Sequence, residues 1–562
     1  MRFWSLVLAL LWMVPIDVFA QQDKKPRKKP KVKLTKWDEM DIGPFQAYGL
    51  EVPEGKDIWR PALKGLNIRV GPNLEATVCY DTERMRLAAG WAGGFLKLPT
   101  GRDGLQGVPQ PVGQILYRTS MTPGWAGPKG EWKSTKPPII KSKDVYSFGP
   151  LSREWARWRG HYRAGQRVVL NYTVGSTEVL EMPEYDPAVG GIFIRWFDIA
   201  KADQELVQHM LVAEDLGGNG EEHEGGFTAL LEKDGIVTSA SVLMRQNVHD
   251  PHHSLYVKDG RILYRLGETM DRHIFDIAVW RGPREKFLAY QKYLEKLDGL
   301  APPVLSKLTQ GGKTMWGKPV LTEGRRGLAT GPYVVDTITV PEQNPWKSWI
   351  RCSGFDFFKD GTTAAVCSVT GDVWVVGGID ESLKELKWKR FATGLFQPLG
   401  LKIVDGKVYV LGRDQITRLH DLNEDGEADY YENFNNDISI TNHYHEFCLN
   451  LETDAAGNFY FIKGGNLRSA TVPHHGCLVK VSSDGSRLEV VANGHRAPNG
   501  MSVGPEGEIT SADNEGNWVP ASRVNLVKRG GFYGHVYTAH RAKQPTDYDK
   551  PLLWLPHQVD NS

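Results

Sequence analysis

Four turn glycines constrain this chain more than any other feature. Gly361, Gly406, Gly457 and Gly507 fall 45, 51 and 50 residues apart, and each divides two apolar runs. Gly354–Phe358 precedes Gly361 and Ala364–Val366 follows it; Gly400–Val404 and Val408–Val410 flank Gly406. Phe447–Leu451 and Phe459–Phe461 flank Gly457, and Gly500–Val503 and Ile509–Thr510 flank Gly507. A hairpin recurring at this period matches four-stranded propeller blades, for which about 40 to 50 residues are typical; the alternative is an ordinary sandwich whose hairpins share the spacing by coincidence. The sequence therefore predicts a partial β-propeller of about four blades over 345–562. Propellers remove exposed edges by closing a ring, and only 55 residues follow Gly507, so the chain is expected to stop partway round.

The rest of the chain also reads as mainly β. Arg167–Val174 and Gly191–Trp196 have strand patterns, and 60–300 is expected to form a sandwich-like N-terminal domain. One helix is appended to it at Pro283–Leu297, where Phe287, Leu288, Tyr290, Leu294 and Leu297 return at helical spacing. Gly, Pro and Lys concentrate after residue 300, so 301–344 reads as a linker.

The first twenty residues predict export. Arg2 is followed by an apolar stretch, Leu6–Ile16, and by Val18-Phe19-Ala20, a signal peptide with cleavage expected before Gln21. That stretch is shorter than the ~20 residues needed to span a bilayer, so no membrane span is expected and the product should be secreted or periplasmic. Residues 23–36 carry eight Lys/Arg against one Asp within a chain of net charge +1. The body is thus mildly acidic, and 21–59 reads as a basic, disordered linker that either is only solvated or anchors to nucleic acid or to an anionic surface. No basic stripe with interleaved aromatics supports nucleic-acid binding by the body. The five cysteines show no zinc spacing and no covalent haem motif; either Cys352 and Cys367 face each other across neighbouring strands, or the cysteines are buried as small apolar side chains.

Three motifs carry possible chemistry. Asp421, Asn423, Asp425, Glu427, Asp429 and Glu432, with Gly426 at the turn, satisfy the twelve-residue calcium-loop pattern. The flanks are not helical, and the alternative is a solvated blade turn. Asn442-His443-Tyr444-His445-Glu446 leads into the third blade and offers His445 as a general base, or else a pair of loop histidines. The fourth blade opens with Gly494–Gly500 and continues into Ser511–Trp518. There Arg496 is suited to an anionic group, with His495, Asn499, Asp513, Asn514 and Asn517 as cofactor contacts, or the segment is a turn and a capped strand. His249, His252 and His253 read as an exposed loop cluster or a metal site.

Gly494-His495-Arg496-Ala497-Pro498-Asn499-Gly500, the Pro505-Glu506-Gly507 turn and the Asn525-Leu526 strand resemble the glucose/sorbosone dehydrogenase family of quinoprotein propellers. The resemblance implies a six-bladed propeller that oxidises a sugar or alcohol with pyrroloquinoline quinone and calcium. It makes His445 the catalytic base and Arg496 a second catalytic contact in the channel. Ala497 and Asn442-His443-Tyr444 depart from the family pattern, and the basic residues that grip the quinone belong to later blades than those present here. Thr77–Asp81, Ala89–Phe95, Gly371–Trp374, Phe396–Leu401 and Asp414–Arg418 resemble large secreted planctomycete-type proteins. These join an uncharacterised N-terminal domain to such a propeller and then to a c-type haem module, which implies a haem electron acceptor. The two expected functions are thus the oxidising part of a quinone- and calcium-dependent dehydrogenase, and a non-catalytic carbohydrate- or surface-binding module.

Overall fold

The computed structural model of the 562-residue chain describes residues 35–559, apart from 103, 133–150, 202–206, 224, 246–252, 268–271, 442, 444, 466–472 and 518. The fold is mainly β, and the four repeats are blades. Blade one comprises Cys352–Phe357, Ala364–Ser368, Val373–Gly377 and Leu386–Ala392. Blade two comprises Gly400–Val404, Lys407–Leu411, Ile416–His420 and Tyr430–Asn435. Blade three runs through Cys448–Thr453, Phe459–Lys463, Leu478–Val481 and Leu488–Ala492, and blade four through Met501–Val503, Ile509–Asp513, Arg523–Val527 and Leu553–Trp554. Each spacing glycine sits in the turn between a blade's first two strands with φ of 68°, 74°, 77° and 85°. That left-handed conformation is why glycine recurs there.

The first strands of successive blades lie side by side, forming the hub of the arc. Backbone meets backbone at this line: a Cβ on Gly400 would come within 2.8 Å of the Asn450 carbonyl carbon, and Asn450 donates its N–H to Leu399 O at 3.1 Å. Lys402 ties three blades together, with Nζ 3.1 Å from Glu452 and 3.6 Å from Asp356. The arc is open, and each end presents apolar side chains: Phe355 and Phe357 on blade one, Leu526, Leu553 and Trp554 on blade four.

The N-terminal half is built onto the blades through hydrogen bonds. Its strands Thr228–Lys233, Ile236–Met244, His273–Pro283, Ile192–Ile199, Thr177–Asp186, Arg167–Val174 and Ala156–Ala164 form one antiparallel run. Ala156–Ala164 then pairs with the outermost strand of blade two, so the sheet continues to twelve strands, closed at its other margin by Asn219–Glu222. Gly160 makes the junction possible. Its φ is +132°, and an added Cβ would fall inside contact distance of Tyr431 O and 3.0 Å from Glu432 Cα. Beside it Tyr162 stacks on Tyr430 and His161 on Tyr431, with centroids 4.2 and 4.9 Å apart.

Several expectations change here. Ordered structure begins before residue 60: Thr35 caps the turn Lys36–Glu39, and Phe45–Ala47, Leu50–Glu54 and Asp57–Ala62 are strands. Trp37, Met40, Ile42 and Tyr48 pack into a core with Phe396, Tyr409, Phe434 and Phe459 of blades two and three. Within 301–344, Val320–Thr322 adds a fifth strand to blade one. The helix is Phe287–Asp298; Phe287, Tyr290 and Leu297 are buried, Tyr290 stacks on Trp280 at 5.2 Å, and Leu288 is exposed. All five cysteines are free; Cys352 and Cys367 do not face each other, because a bulge pairs Cys352 with Ser368 and leaves Gly354 opposite Cys367. No helix among the described residues is long and apolar enough to cross a membrane.

Candidate functional site at the blade rim

In an antiparallel meander, the loop before the first strand and the turn between the second and third strands lie at the same end. Chemistry-bearing residues of all four blades therefore gather on one rim. Arg351 precedes the first strand of blade one, Gln397 that of blade two, His445 that of blade three and Arg496 that of blade four. Arg413, Lys463, His475, Asp513 and Arg523 come from the adjoining turns at the same end.

His445 and Arg496 are brought together. Gly464 and Gly465 stitch their loops, Gly464 N–H donating to Phe447 O at 2.9 Å and Gly465 N–H to Arg496 O at 2.8 Å. The His445 imidazole is half-buried, with the His443 ring 5.3 Å away. Burial, then His443, Arg102 and Arg496, push its pKa down to about 4. At neutral pH it is an uncharged proton acceptor facing a cationic surround. The loop that carries it is clasped by Glu446, whose buried carboxylate accepts Thr441 N–H at 2.8 Å and the Thr441 hydroxyl. The same carboxylate lies 3.2 Å from Lys463 Nζ and 2.7 Å from His475 Nε2, both fully enclosed. Burial alone would raise the Glu446 pKa, but Lys463 and His475 hold it well below the usual carboxylate range. Arg413 supports the loop from the other side, donating to the carbonyls of Thr441, at 3.3 Å, and His443.

The remaining expected site residues have mixed positions. Arg496 Nη1 bonds Glu515 Oε1 at 3.1 Å, while its N–H and that of Ala497 donate to Asp513 at 3.0 Å. Asp513 is buried against Arg523 Nη2 at 3.0 Å, and the Asn514 carbonyl accepts from Arg523 as well. His495 is a core residue: fully buried, stacked on Tyr533 and 3.2 Å from Ser511 Oγ, its pKa pushed down by burial to about 3. Asn499 and Asn517 are exposed. His249 and His252 lie outside the described residues, whereas His253 is buried beside Tyr264 and His273.

The carboxylates of 421–432 do not converge, and no three metal-ligating side chains come together among the described residues. Asp421 accepts the N–H groups of Asp425 and Gly426, Asn423 Oδ1 that of Asp425, and Asp425 that of Glu427. Glu427 is buried and receives Met315 N–H, Trp316 N–H and Lys389 Nζ at 2.7 to 2.8 Å. Asp429 accepts from Gly312 and Leu422, and Glu432 pairs with Arg418 and His420. The donor set is spent on backbone N–H groups and fixed cations, so the residues do not fit a calcium ion. The segment fastens blade two to residues 312–316.

Sequence reasoning missed Arg102, Arg413 and the Glu446–Lys463–His475 cluster. Only Glu446 carried a local signal, as the neighbour of His445.

Comparisons with known proteins bear on two regions. Residues 78–181 match a family described as a domain of unknown function, DUF6797. No curated protein matches the chain. Among solved structures it is similar to a glucose dehydrogenase-type oxidoreductase of Thermus thermophilus, at 19% identity over 37% of this chain and 71% of that one, with a TM-score of 0.29. It is also similar to the PQQ-bound aldose sugar dehydrogenase of Streptomyces coelicolor, at 15% identity over 37% and 69% of the two chains, with a TM-score of 0.28. A calcium-binding regucalcin of Agrobacterium tumefaciens gives 12% identity over 63% and 92%, with a TM-score of 0.22.

Proposed function

We propose that this is a secreted or periplasmic protein whose blade rim oxidises a sugar or alcohol, with a quinone as immediate acceptor and a c-type haem partner taking the electrons onward. One observation carries the reading: an imidazole kept unprotonated, His445, stands beside Arg496 on a rim where several elements converge. A neutral imidazole accepts the proton of a substrate hydroxyl, and cations around it stabilise the alkoxide character that develops as the proton leaves. The cations that depress the His445 pKa are thus those that favour the deprotonated substrate.

His443 and the Glu446 clasp orient His445, and Arg413 fixes the loop backbone. Arg496 would hold a carboxylate of pyrroloquinoline quinone only by giving up its ion pair with Glu515 at 3.1 Å; the quinone, when bound, would supply a two-electron acceptor. Calcium is given no role, because the 421–432 donor set does not fit it.

The test is dye reduction by the whole protein, reconstituted with the quinone, across a panel of sugars and alcohols. Turnover that disappears in His445→Ala, with the melting temperature unchanged, is the expected result. No turnover on any substrate, together with binding to a glycan array, replaces the dehydrogenase reading with carbohydrate binding.

A further inference from the structure

The seam between the N-terminal half and the blades holds a cavity of about 310 Å³. One side comes from the segments around residues 82–85 and 151–158, the other from 436–439, which lead from the last strand of blade two towards blade three. All its lining residues are described, and none belongs to the set around His445. The size falls at the lower end of the roughly 300–1,000 Å³ typical of small-ligand pockets. Met85, Leu151, Ala156 and Trp158 are buried and form its apolar part.

Most of the charge lining it is already matched. Glu83 Oε1 lies 3.2 Å from Lys64 Nζ, and Asp437 Oδ1 lies 2.7 Å from Arg153 Nε. Arg153 also donates to Asn436 Oδ1 at 3.2 Å and to Ser486 O at 3.3 Å. Arg157 differs: it makes no ion pair and no hydrogen bond with any described residue, and its Nε is shut off from water. Burial, then Arg159 and Arg153, push its pKa down, with Asp437 and Glu432 opposing. A buried donor left unsatisfied is costly until a partner reaches it. Glu154, the other unpaired charge of the lining, is exposed and keeps its water. Ser152 and Ser439 are half-buried, and neither hydroxyl is bonded to a described residue. Their backbones are fixed: Ser152 O accepts Trp155 N–H at 3.0 Å, and Ser439 N–H donates to His474 Nδ1 at 3.0 Å.

We infer that this cavity is a ligand site separate from the rim, and that it takes a hydroxylated monocarboxylate. The guanidinium of Arg157 receives the carboxylate, and the Ser152 and Ser439 hydroxyls meet those of the ligand. Glu83, Glu154 and Asp437 in the same lining oppose a second negative charge, so a monoanion is a better match than a phosphate dianion. The inference uses no residue of the proposed dehydrogenase site and stands without it.

Titration calorimetry on the whole protein, without quinone, uses D-gluconate as the probe, beside D-sorbitol, hexanoate and inorganic phosphate. Sorbitol lacks the carboxylate and hexanoate the hydroxyls. The expected result is that gluconate binds and that each of the other three binds far more weakly. In Arg157→Gln gluconate affinity should fall roughly tenfold or more, the scale of one hydrogen bond to a charged group. The double variant Ser152→Ala/Ser439→Ala should lose several-fold for gluconate and nothing for hexanoate. Since Arg157 bonds to no described residue, Arg157→Gln should melt no lower than the wild type, and saturating gluconate should raise the wild-type melting temperature but not the variant's. His445→Ala should bind gluconate as the wild type does. No gluconate binding, binding indifferent to Arg157→Gln, an Arg157→Gln variant that melts several degrees lower, or a loss shared by His445→Ala overturns the inference. Phosphate or hexanoate binding as tight as gluconate overturns it too, replacing the hydroxycarboxylate with a bare anion or an apolar acid. Gluconate binding that depends on Arg157, with no oxidation of any sugar or alcohol, removes the dehydrogenase reading alone.

Discussion

Replacing Glu446 by Gln tests whether the clasp beneath His445 is held by charge. The substitution keeps the size of the side chain and an acceptor for Thr441 N–H, but it removes the carboxylate that faces Lys463 Nζ and His475 Nε2. Lys463 and Glu446 are both fully enclosed, so no water can take over the charge. Breaking one side of such a buried pair costs about 3–5 kcal/mol. Replacing Lys463 by Met removes the orphaned ammonium, so the double variant Glu446→Gln/Lys463→Met should regain part of the loss, with a coupling of about 1–3 kcal/mol. Urea unfolding followed by tryptophan fluorescence measures all four proteins, and a quinone-dependent rate assay reads the same set. The rate of Glu446→Gln should fall through kcat rather than KM, since the clasp orients His445 and touches no substrate. Glu446→Gln within 1 kcal/mol of wild type, or strict additivity in the cycle, would refute the argument.

Other consequences are directly measurable. His161 and His495 are both buried with pKa values pushed down to about 3, below the ~6.5 of an unfolded histidine. The unfolded chain therefore binds more protons between these values, and stability present above about pH 6.5 is lost on acidification towards pH 3. Each of these two groups adds on the order of 1 kcal/mol per pH unit to the slope between the two pKa values, so His161→Phe should visibly flatten the pH dependence of urea midpoints taken from pH 6 to 4. Gly160→Ala should cost about 2–4 kcal/mol through backbone strain and its clash with Tyr431, and a melting temperature within 1 °C of wild type would refute the junction. Calcium at 1 mM, or its removal with EGTA, should leave the melting curve unchanged. Asp421→Ala should lose about 1 kcal/mol of turn hydrogen bonding to the same extent with and without the ion.

The blades were legible in the sequence because their turns demand a conformation that glycine alone adopts freely. Gly361, Gly406, Gly457 and Gly507 thus marked the period without any knowledge of what packs around them. The twelve-residue loop at 421–432 illustrates the opposite case. Asp and Asn at alternate positions serve a cation only when their oxygens point at one centre, and the same spacing satisfies successive N–H groups of a tight turn. Local sequence does not distinguish these; the burial of Glu427 under residues 315 and 316 does. His445 and Arg496 were nameable because each stands just before a blade's first strand. Their companions were not, since Lys463 reaches Glu446 through strand register and Arg102 reaches the rim from some 340 residues away in the chain.

The hydrogen-bond ladder through Gly160 has a consequence for how this molecule came to be and how it comes apart. A recombination break anywhere between the helix at 287–298 and the first blade would sever two halves that share one continuous sheet, leaving a bare strand margin on each. Such pieces would stick to themselves sooner than fold, so the pair should be inherited as one cassette, and should melt as one.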